Sequence, residues 1–164
     1  MRLVVTASIE SRAMTDVLLV CMANVCRSPM ACAVAQQLGR TQGRAAQLHF
    51  DSAGTHVHSG KRLDARAQAV LLKHRYTPPK TRSRAVTARD FERFDLILAM
   101  DESNLAALQR QCPPQHHRKL RLLLSFAPEL GLSEVPDPYY GDLAGFERVL
   151  SLCEAGARGL LAAL

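Results

Sequence analysis

The sequence contains no tryptophan, and only 5% of its 164 residues are aromatic. Single-stranded nucleic acids bind largely by stacking their bases on aromatic side chains, so this scarcity argues against nucleic-acid binding. No apolar run approaches the ~18 residues that a membrane-spanning helix needs, which argues against stable membrane insertion. Internal repeats and low-complexity segments are also missing, and the 48% hydrophobic content favours a globular fold.

The five cysteines are scattered and odd in number, at positions 21, 26, 32, 112 and 153. Their number and spacing do not suit a disulfide scaffold; we expect mostly reduced thiols in a cytoplasmic protein, with at most one reactive pair. No second close cysteine pair follows to complete a zinc site, and the histidine pairs "HVH" and "HH" are expected at the surface. The sequence therefore predicts neither a metal nor a cofactor.

Residues 1–15 are expected to be a loosely ordered N-terminal extension, because polar residues interrupt their apolar segment and leave it too short for a signal peptide. Residues 16–164 are expected to form a single domain. The net charge of +6 favours anionic partners such as phosphorylated or acidic proteins.

Short apolar runs alternate with helical patterns along this domain. The predicted strands are residues 17–21, 47–52, 95–100 and 119–124, and the predicted helices lie within residues 29–38, 64–74, 87–94, 102–111 and 141–164. This alternation implies an α/β fold with a parallel sheet covered by helices on both faces. Ligands bind such sheets beyond the carboxyl ends of the strands, where the first strand delivers Cys21.

The segment "VLLVCMANVCRSPMA" places Arg27 and Ser28 directly after a five-residue loop that follows Cys21. A loop of this length, followed by a helix N-terminus, can surround a tetrahedral oxyanion with backbone N–H groups. Arg27 adds a fork of donors, and the positive surroundings favour a Cys21 thiolate that can attack phosphorus in line. Ser28 could hydrogen-bond the sulfur. The alternative is that Cys21 is a small apolar residue ending a buried strand.

The segment "VPDPYYG" offers an acid for the leaving oxygen. Two prolines flank Asp137 and restrict its backbone, so its carboxyl could be held over a pocket. Tyr139 and Tyr140 would either form a wall of that pocket or pack on the loop. An ordinary Asp-Pro turn remains an alternative.

Taken together, "VLLVCMANVCRSP" and "DPYYGD" resemble the low-molecular-weight protein tyrosine phosphatases. "DSAGT", "DFERFDLILAMDESN" and the terminal helix also match, so the resemblance covers roughly residues 16–164. The family implies three layers, with a central four-stranded parallel sheet, and metal-independent hydrolysis of protein phosphotyrosine through a cysteinyl-phosphate intermediate. Its expected partners are a phosphotyrosine-containing protein and a cognate tyrosine kinase.

The resemblance also assigns roles by position. Cys21 would be the nucleophile, Arg27 the phosphate clamp and Asp137 the general acid. Asn24 would hold the loop in a left-handed conformation with a hydrogen bond to Ser52, and Cys26 would trap oxidised Cys21 as a reversible disulfide. The substrate-binding loop would comprise Met22, Ala23, Asn24, Val25, Cys26 and Ser28, with Tyr139 and Tyr140 opposite.

Two departures from the family pattern carry expectations of their own. Ala23 stands where the family usually has glycine, so its β-carbon would be strained if φ were positive there. The family often has an aromatic residue after "SAGT"; here Val57 or a histidine is expected to take that wall.

Three alternatives stay open. In relatives that hydrolyse phosphoarginine, a threonine occupies the position of Val25, which has no hydroxyl, so phosphotyrosine is favoured. Arsenate reductases of the same fold use further cysteines, and none lies between Cys32 and Cys112. Ala23 is the one feature that favours a catalytically weak anion-binding module.

Overall fold

The computed structural model describes residues 14–164, so the expected extension lies outside the described residues except for Met14 and Thr15. The strands are β1 (Thr15–Cys21), β2 (Leu48–Gly54), β3 (Leu96–Ala99) and β4 (Leu120–Leu122). The helices are α1 (Arg27–Thr41), α2 (Ala65–Lys73), α3 (Ala88–Arg93), α4 (Glu102–Gln111) and α5 (Leu143–Ala163). All strand pairs are parallel, in the order β2-β1-β3-β4, which confirms the predicted sheet.

Alternate residues of the central strand β1 supply two separate cores. Val17 and Leu19 pack in the larger core, which α1, α2 and α5 complete. Leu18 and Val20 point to the opposite face and pack against residues of α3 and α4. Because both faces are covered, the continuous apolar pattern of β1 is the one expected for a buried parallel strand, and the three-layer prediction is confirmed.

Two predicted boundaries are wrong. Helix α1 was expected over residues 29–38 with Gly39 beyond its end, but it runs from Arg27 to Thr41 and Gly39 is buried inside it, against Leu48 and Phe50. Packing on β2 thus overrides the local preference of glycine for a helix end. The strand expected over residues 119–124 covers only Leu120–Leu122, because the next residues form a 3₁₀ turn that packs on α5.

The register of the sheet brings the site together. Cys21 at the end of β1 pairs with Gly54 at the end of β2, and the backbone N–H of Met100, just after β3, donates to Val20. The segments that follow these three strands therefore meet at one edge. No helix within residues 14–164 is long and apolar enough to cross a membrane.

Candidate active site

A pocket of about 470 Å³ opens beyond the carboxyl end of β1. It is lined by Cys21, Met22, Ala23, Val25, Cys26, Arg27, Asp137, Tyr139 and Tyr140. The structure therefore brings together the three expected catalytic side chains, most of the expected loop residues and both tyrosines. The remaining expected residues, Asn24, Ser28 and Ser52, are buried.

The Cys21 side chain is buried but reaches the pocket. Its Sγ lies 3.0 Å from the Ser28 Oγ, which also receives a hydrogen bond from the Asn24 Nδ2 at 2.9 Å. A thiolate has no proton to donate, so in that state the Ser28 hydroxyl is the donor to sulfur. The amide of Asn24 occupies an acceptor position of the same hydroxyl, so its one hydrogen is left for either the Cys21 sulfur or the Ala53 carbonyl, which lies 3.3 Å away.

Asn24 holds the loop in shape. Its φ is +58°, the left-handed region that asparagine tolerates better than most residues. Besides Ser28, its side chain donates to the Ser52 Oγ at 3.0 Å and accepts from the backbone N–H of Arg84 at 3.0 Å. One buried amide thus links the loop to β2 and to the segment before α3, and the predicted contact with Ser52 is present.

The loop presents unpaired backbone donors to the pocket. Within the described part of the chain, the backbone N–H groups of residues 22–27 have no hydrogen-bond acceptor. They come just before and at the start of α1, whose dipole adds positive potential at the same place. Free N–H groups around a loop of this kind form an anion-binding nest.

Two hydrogen bonds from one nitrogen fix the orientation of the Arg27 guanidinium. Its Nη1 donates to the Asp101 Oδ2 at 2.6 Å and to the Val135 carbonyl at 3.0 Å. Burial alone would lower the pKa of Arg27, but the hydrogen bond to Asp101 and the charges of Cys21 and Asp137 outweigh it and raise the pKa. Arg27 is therefore a permanently charged group in a fixed orientation beside Cys21.

Asp137 lies close to the guanidinium, with 3.8 Å between its Oδ2 and the Arg27 Nη2. The backbone N–H of Tyr139 donates to its other oxygen, Oδ1, at 3.0 Å. The backbone N–H of Val135, two residues earlier, donates to the Met100 carbonyl and anchors the segment to the end of β3. The carboxyl is thus placed over the pocket while its side chain keeps 40% exposure.

Arg66 links the segment that contains Asp137 to the loop that follows β1. Its guanidinium pairs with Asp64, lies 5.5 Å from the centre of the Tyr139 ring and donates to the Gly141 carbonyl at 3.2 Å. The backbone N–H of Asp64 donates in turn to the Val25 carbonyl at 2.9 Å. The start of α2 therefore sets the spacing between the two walls of the pocket.

The roles of Asp64, Arg66, Arg84 and Asp101 in the site were not predicted from the sequence. Asp101 lies within "DFERFDLILAMDESN", one of the matching segments, so a signal for it existed. The other three lie in segments with no motif, and their roles come from contacts distant in sequence.

Ala23 carries no backbone strain. The non-glycine residues with positive φ in the described range are Asn24 and Arg75, so the condition under which Ala23 would be strained is not met. The expectation that Val57 or a histidine forms the missing wall is wrong. Neither lines the pocket, whereas Met22, which is 46% exposed, and the two tyrosines do.

Cys26 lines the pocket as a neutral thiol. Burial, followed by the negative charges of Asp64 and Cys21, raises its pKa to about 12. It therefore does not compete with Cys21 as a nucleophile at neutral pH.

Gly54 allows the loop to approach β2. A β-carbon at this position would lie 2.6 Å from the Met22 carbonyl oxygen and would also overlap Val57. We expect Gly54→Ala to lower the free energy of unfolding by about 2 kcal/mol, since backbone must move to make room. Urea unfolding would measure this, together with kcat/KM for p-nitrophenyl phosphate, which we expect to fall at least about tenfold because the loop moves.

Gly39→Ala is the matched control for that substitution. Its β-carbon would contact Phe50 at an ordinary 3.7 Å, and alanine favours the helix, so stability should rise by about 0.5 kcal/mol. Equal effects of the two substitutions on stability and activity would contradict the close approach at Gly54.

The sequence matches a known protein family along most of its length. The sequence model of the family described as "Low molecular weight phosphotyrosine protein phosphatase" matches residues 16–164. A low molecular weight protein-tyrosine-phosphatase of Streptomyces coelicolor is 42% identical over 149 residues, covering 88% of this chain and 90% of the relative. A human low molecular weight phosphotyrosine protein phosphatase is 38% identical, covering 92% of this chain and 96% of the relative.

Solved structures agree with the sequence comparisons. The crystal structure of a protein tyrosine phosphatase from Entamoeba histolytica superposes with a TM-score of 0.87 at 35% identity, covering 90% of this chain and 95% of that one.

Proposed function

The chain belongs to the low molecular weight phosphotyrosine protein phosphatase family, and we propose that Cys21, Arg27 and Asp137 carry out its reaction. In this reaction, protein phosphotyrosine is hydrolysed through a cysteinyl-phosphate intermediate. The observation that carries the assignment is the set of unpaired N–H groups of residues 22–27 around one cysteine and one fixed arginine. This arrangement is complementary to three phosphoryl oxygens with a nucleophile facing phosphorus.

In the first step, the Cys21 thiolate attacks phosphorus and the bond to the tyrosine oxygen breaks. Arg27 and the loop N–H groups hold the phosphoryl oxygens, and Asp137 gives its proton to the departing oxygen. In the second step Asp137 takes a proton from water, the water oxygen bonds to phosphorus, and the sulfur leaves. The hydrogen bond from Ser28 stabilises the departing thiolate.

Trapping the intermediate tests this assignment directly. The protein is mixed with p-nitrophenyl phosphate, quenched in denaturant within milliseconds, and analysed by intact-mass spectrometry and fragmentation. We expect a phosphoryl group on Cys21. Phosphate on another residue, or none despite a measured burst of nitrophenol, would refute the assignment.

The substrate preference follows from the pocket lining. Val25, Met22 and two tyrosines surround the pocket, and no hydroxyl at Val25 is available to orient a nitrogenous group. We infer faster turnover of phosphotyrosine than of phosphoarginine in matched peptides. Thioredoxin-coupled reduction of arsenate, or absence of any turnover, would support the arsenate reductase or the binding-module alternative instead.

The cytoplasm is the compartment that suits this chemistry, since it keeps Cys21 reduced. All five cysteines are free in the structure. A tyrosine kinase that phosphorylates the same proteins is the expected functional partner.

Cys26 is proposed to protect Cys21 from irreversible oxidation. Peroxide converts the Cys21 thiolate to a sulfenic acid, and attack by the Cys26 sulfur forms a disulfide and releases water. Two equivalents of thiol then restore both residues. We expect wild type to recover most of its activity with dithiothreitol after peroxide treatment, and Cys26→Ser to recover little, each relative to its own initial rate.

Cys112→Ser is the matched control, because the Cys112 Sγ donates to the Pro113 carbonyl at 3.4 Å and a serine hydroxyl can do the same. Its recovery should equal that of wild type. Equal recovery of the Cys26→Ser variant would refute the protective role.

A further inference from the structure

The positive charge of the chain is concentrated in one stretch. Residues 58–86 contain eight lysines and arginines but a single acidic residue, Asp64, whereas the whole chain has a net charge of +6. The rest of the chain is therefore close to neutral. The structure folds this stretch around a surface groove of about 950 Å³, separate from the active-site pocket.

The basic groove is formed by the segment before α2, the exposed face of α2 and the segment after it. It is lined by Arg62, Leu63, Gln68, Leu72, Thr77, Pro78, Pro79, Lys80, Thr81 and Arg82. Its two rims are tied together, because the backbone of Ser83 donates to the Lys61 carbonyl at 2.8 Å and accepts from Gly60 at 2.9 Å. The groove is thus preformed.

The cations that line this groove are free to bind a partner. Arg62 and Lys80 form no hydrogen bond or ion pair with any residue in the range 14–164, and Arg82 donates to the Gly60 carbonyl. Arg66 and Arg84, which lie outside the groove, are instead paired with carboxylates of the protein itself. The groove therefore presents two cations, Arg62 and Lys80, that have no side-chain partner among the described residues.

The basic groove lies near the active site. The backbone N–H of Asp64 is bonded to the Val25 carbonyl in the anion-binding loop, and Arg62 is two residues before Asp64. With ~3.8 Å between successive Cα atoms, the Cα atoms of Arg62 and Val25 are at most roughly 14 Å apart. An extended peptide of about four or five residues covers that distance.

We propose that the basic groove binds an acidic segment of the phosphotyrosine protein whose phosphate enters the pocket, about four or more residues from the phosphotyrosine. The proposal rests on the proposed function. Leu72, 56% exposed, and the two prolines offer apolar contacts between the charges, which suits a polypeptide. The lining has no aromatic side chain on which nucleic-acid bases could stack.

Two phosphotyrosine peptides test this substrate preference, one with glutamates from the fourth to the eighth residue beyond the phosphotyrosine and one with glutamines there. A second pair of peptides carries the same glutamates or glutamines at the fourth to eighth residues before the phosphotyrosine. In one of the two pairs, we expect the kcat/KM of wild type at low salt to be about tenfold higher for the acidic peptide than for the neutral one. This preference is the size expected from two or three partly exposed ion pairs. The double variant Arg62→Gln, Lys80→Gln should reduce this preference to about twofold or less.

The control variant Arg40→Gln, Arg118→Gln removes two exposed arginines elsewhere and should keep the preference. Hydrolysis of p-nitrophenyl phosphate should stay unchanged in both double variants. No preference for the acidic peptide in either direction, or an equal loss in both variants, would overturn the proposal.

Binding without catalysis separates this proposal from the proposed function. Fluorescence anisotropy of labelled acidic and neutral peptides without phosphotyrosine should show tighter binding of the acidic one, weakened in the groove variant. This result would support the groove even if the catalytic assignment failed. Tighter binding of single-stranded RNA or of phosphatidylserine vesicles, lost in the same variant, would overturn the assignment to an acidic polypeptide.

Discussion

Replacing Cys21 with serine is expected to lower kcat for p-nitrophenyl phosphate by roughly ten-thousandfold or more, since the proposed reaction passes through a covalent intermediate on this side chain. A serine hydroxyl is not ionised at neutral pH, and the site holds no base to activate it: Asp137 is needed protonated in that step. The Ser28 hydroxyl is no base either, because it accepts from the Asn24 amide and its own hydrogen lies within reach of the Ala53 carbonyl. The measurement is steady-state turnover with circular dichroism to verify folding.

The Cys21→Ser variant should still bind phosphate, because Arg27 and the loop N–H groups remain. Competition by inorganic phosphate with a labelled phosphotyrosine peptide would measure this. Cys112→Ser, a buried cysteine on the other face of the sheet, should keep wild-type turnover. Turnover of the Cys21→Ser variant within tenfold of wild type would refute the covalent mechanism assigned to Cys21.

The parts of the fold that the sequence predicted are those with local signals. The apolar run of β1 and the helices expected over residues 64–74 and 87–94 agree with the observed elements to within a few residues, and the observed N-caps are Asp64 and Thr87. The errors at α1 and β4 arise where packing decides: Gly39 stays helical because it packs on β2, and Leu123 leaves the strand to contact α5. Local propensities do not contain that information.

The candidate site likewise contains residues that a local pattern predicts and residues that only the fold brings together. Cys21, Arg27 and Ser28 are close in sequence, so their spacing favours an anion-binding loop, with a buried strand end as the alternative. Asp137 is distant, and its assignment came from the family resemblance and from its flanking prolines. The contact between Arg27 and Asp101 spans 74 positions and depends on the sheet order, which no local pattern encodes.

Replacing Asp137 with asparagine should reveal the general acid through a dependence on the leaving group. Asparagine keeps the shape and can still accept from the Tyr139 N–H, but it has no proton to give the departing oxygen. For phenyl phosphate and phosphotyrosine peptides, kcat/KM should fall by about a thousandfold. For p-nitrophenyl phosphate, whose leaving group needs little protonation, the fall should be about tenfold.

The ratio kcat/KM is the right quantity for this comparison. It reports the steps up to the proposed phosphorylation of Cys21, whereas kcat also includes the second step, in which Asp137 is proposed to be the base. Asp142→Asn is the matched control on the same segment. Asp142 caps α5 through the Gly145 N–H at 3.3 Å, and asparagine caps a helix equally well, so neither substrate should be affected.

A uniform loss across leaving groups in Asp137→Asn would instead indicate that the carboxylate acts by orienting Arg27, whose Nη2 it approaches to 3.8 Å. An orienting group serves every phosphate ester alike, because it acts on the phosphoryl oxygens that all substrates share. A proton donor acts on the leaving oxygen, where the substrates differ. The slope of log kcat/KM against leaving-group pKa therefore separates the two roles, and we expect it to become steeper in the variant.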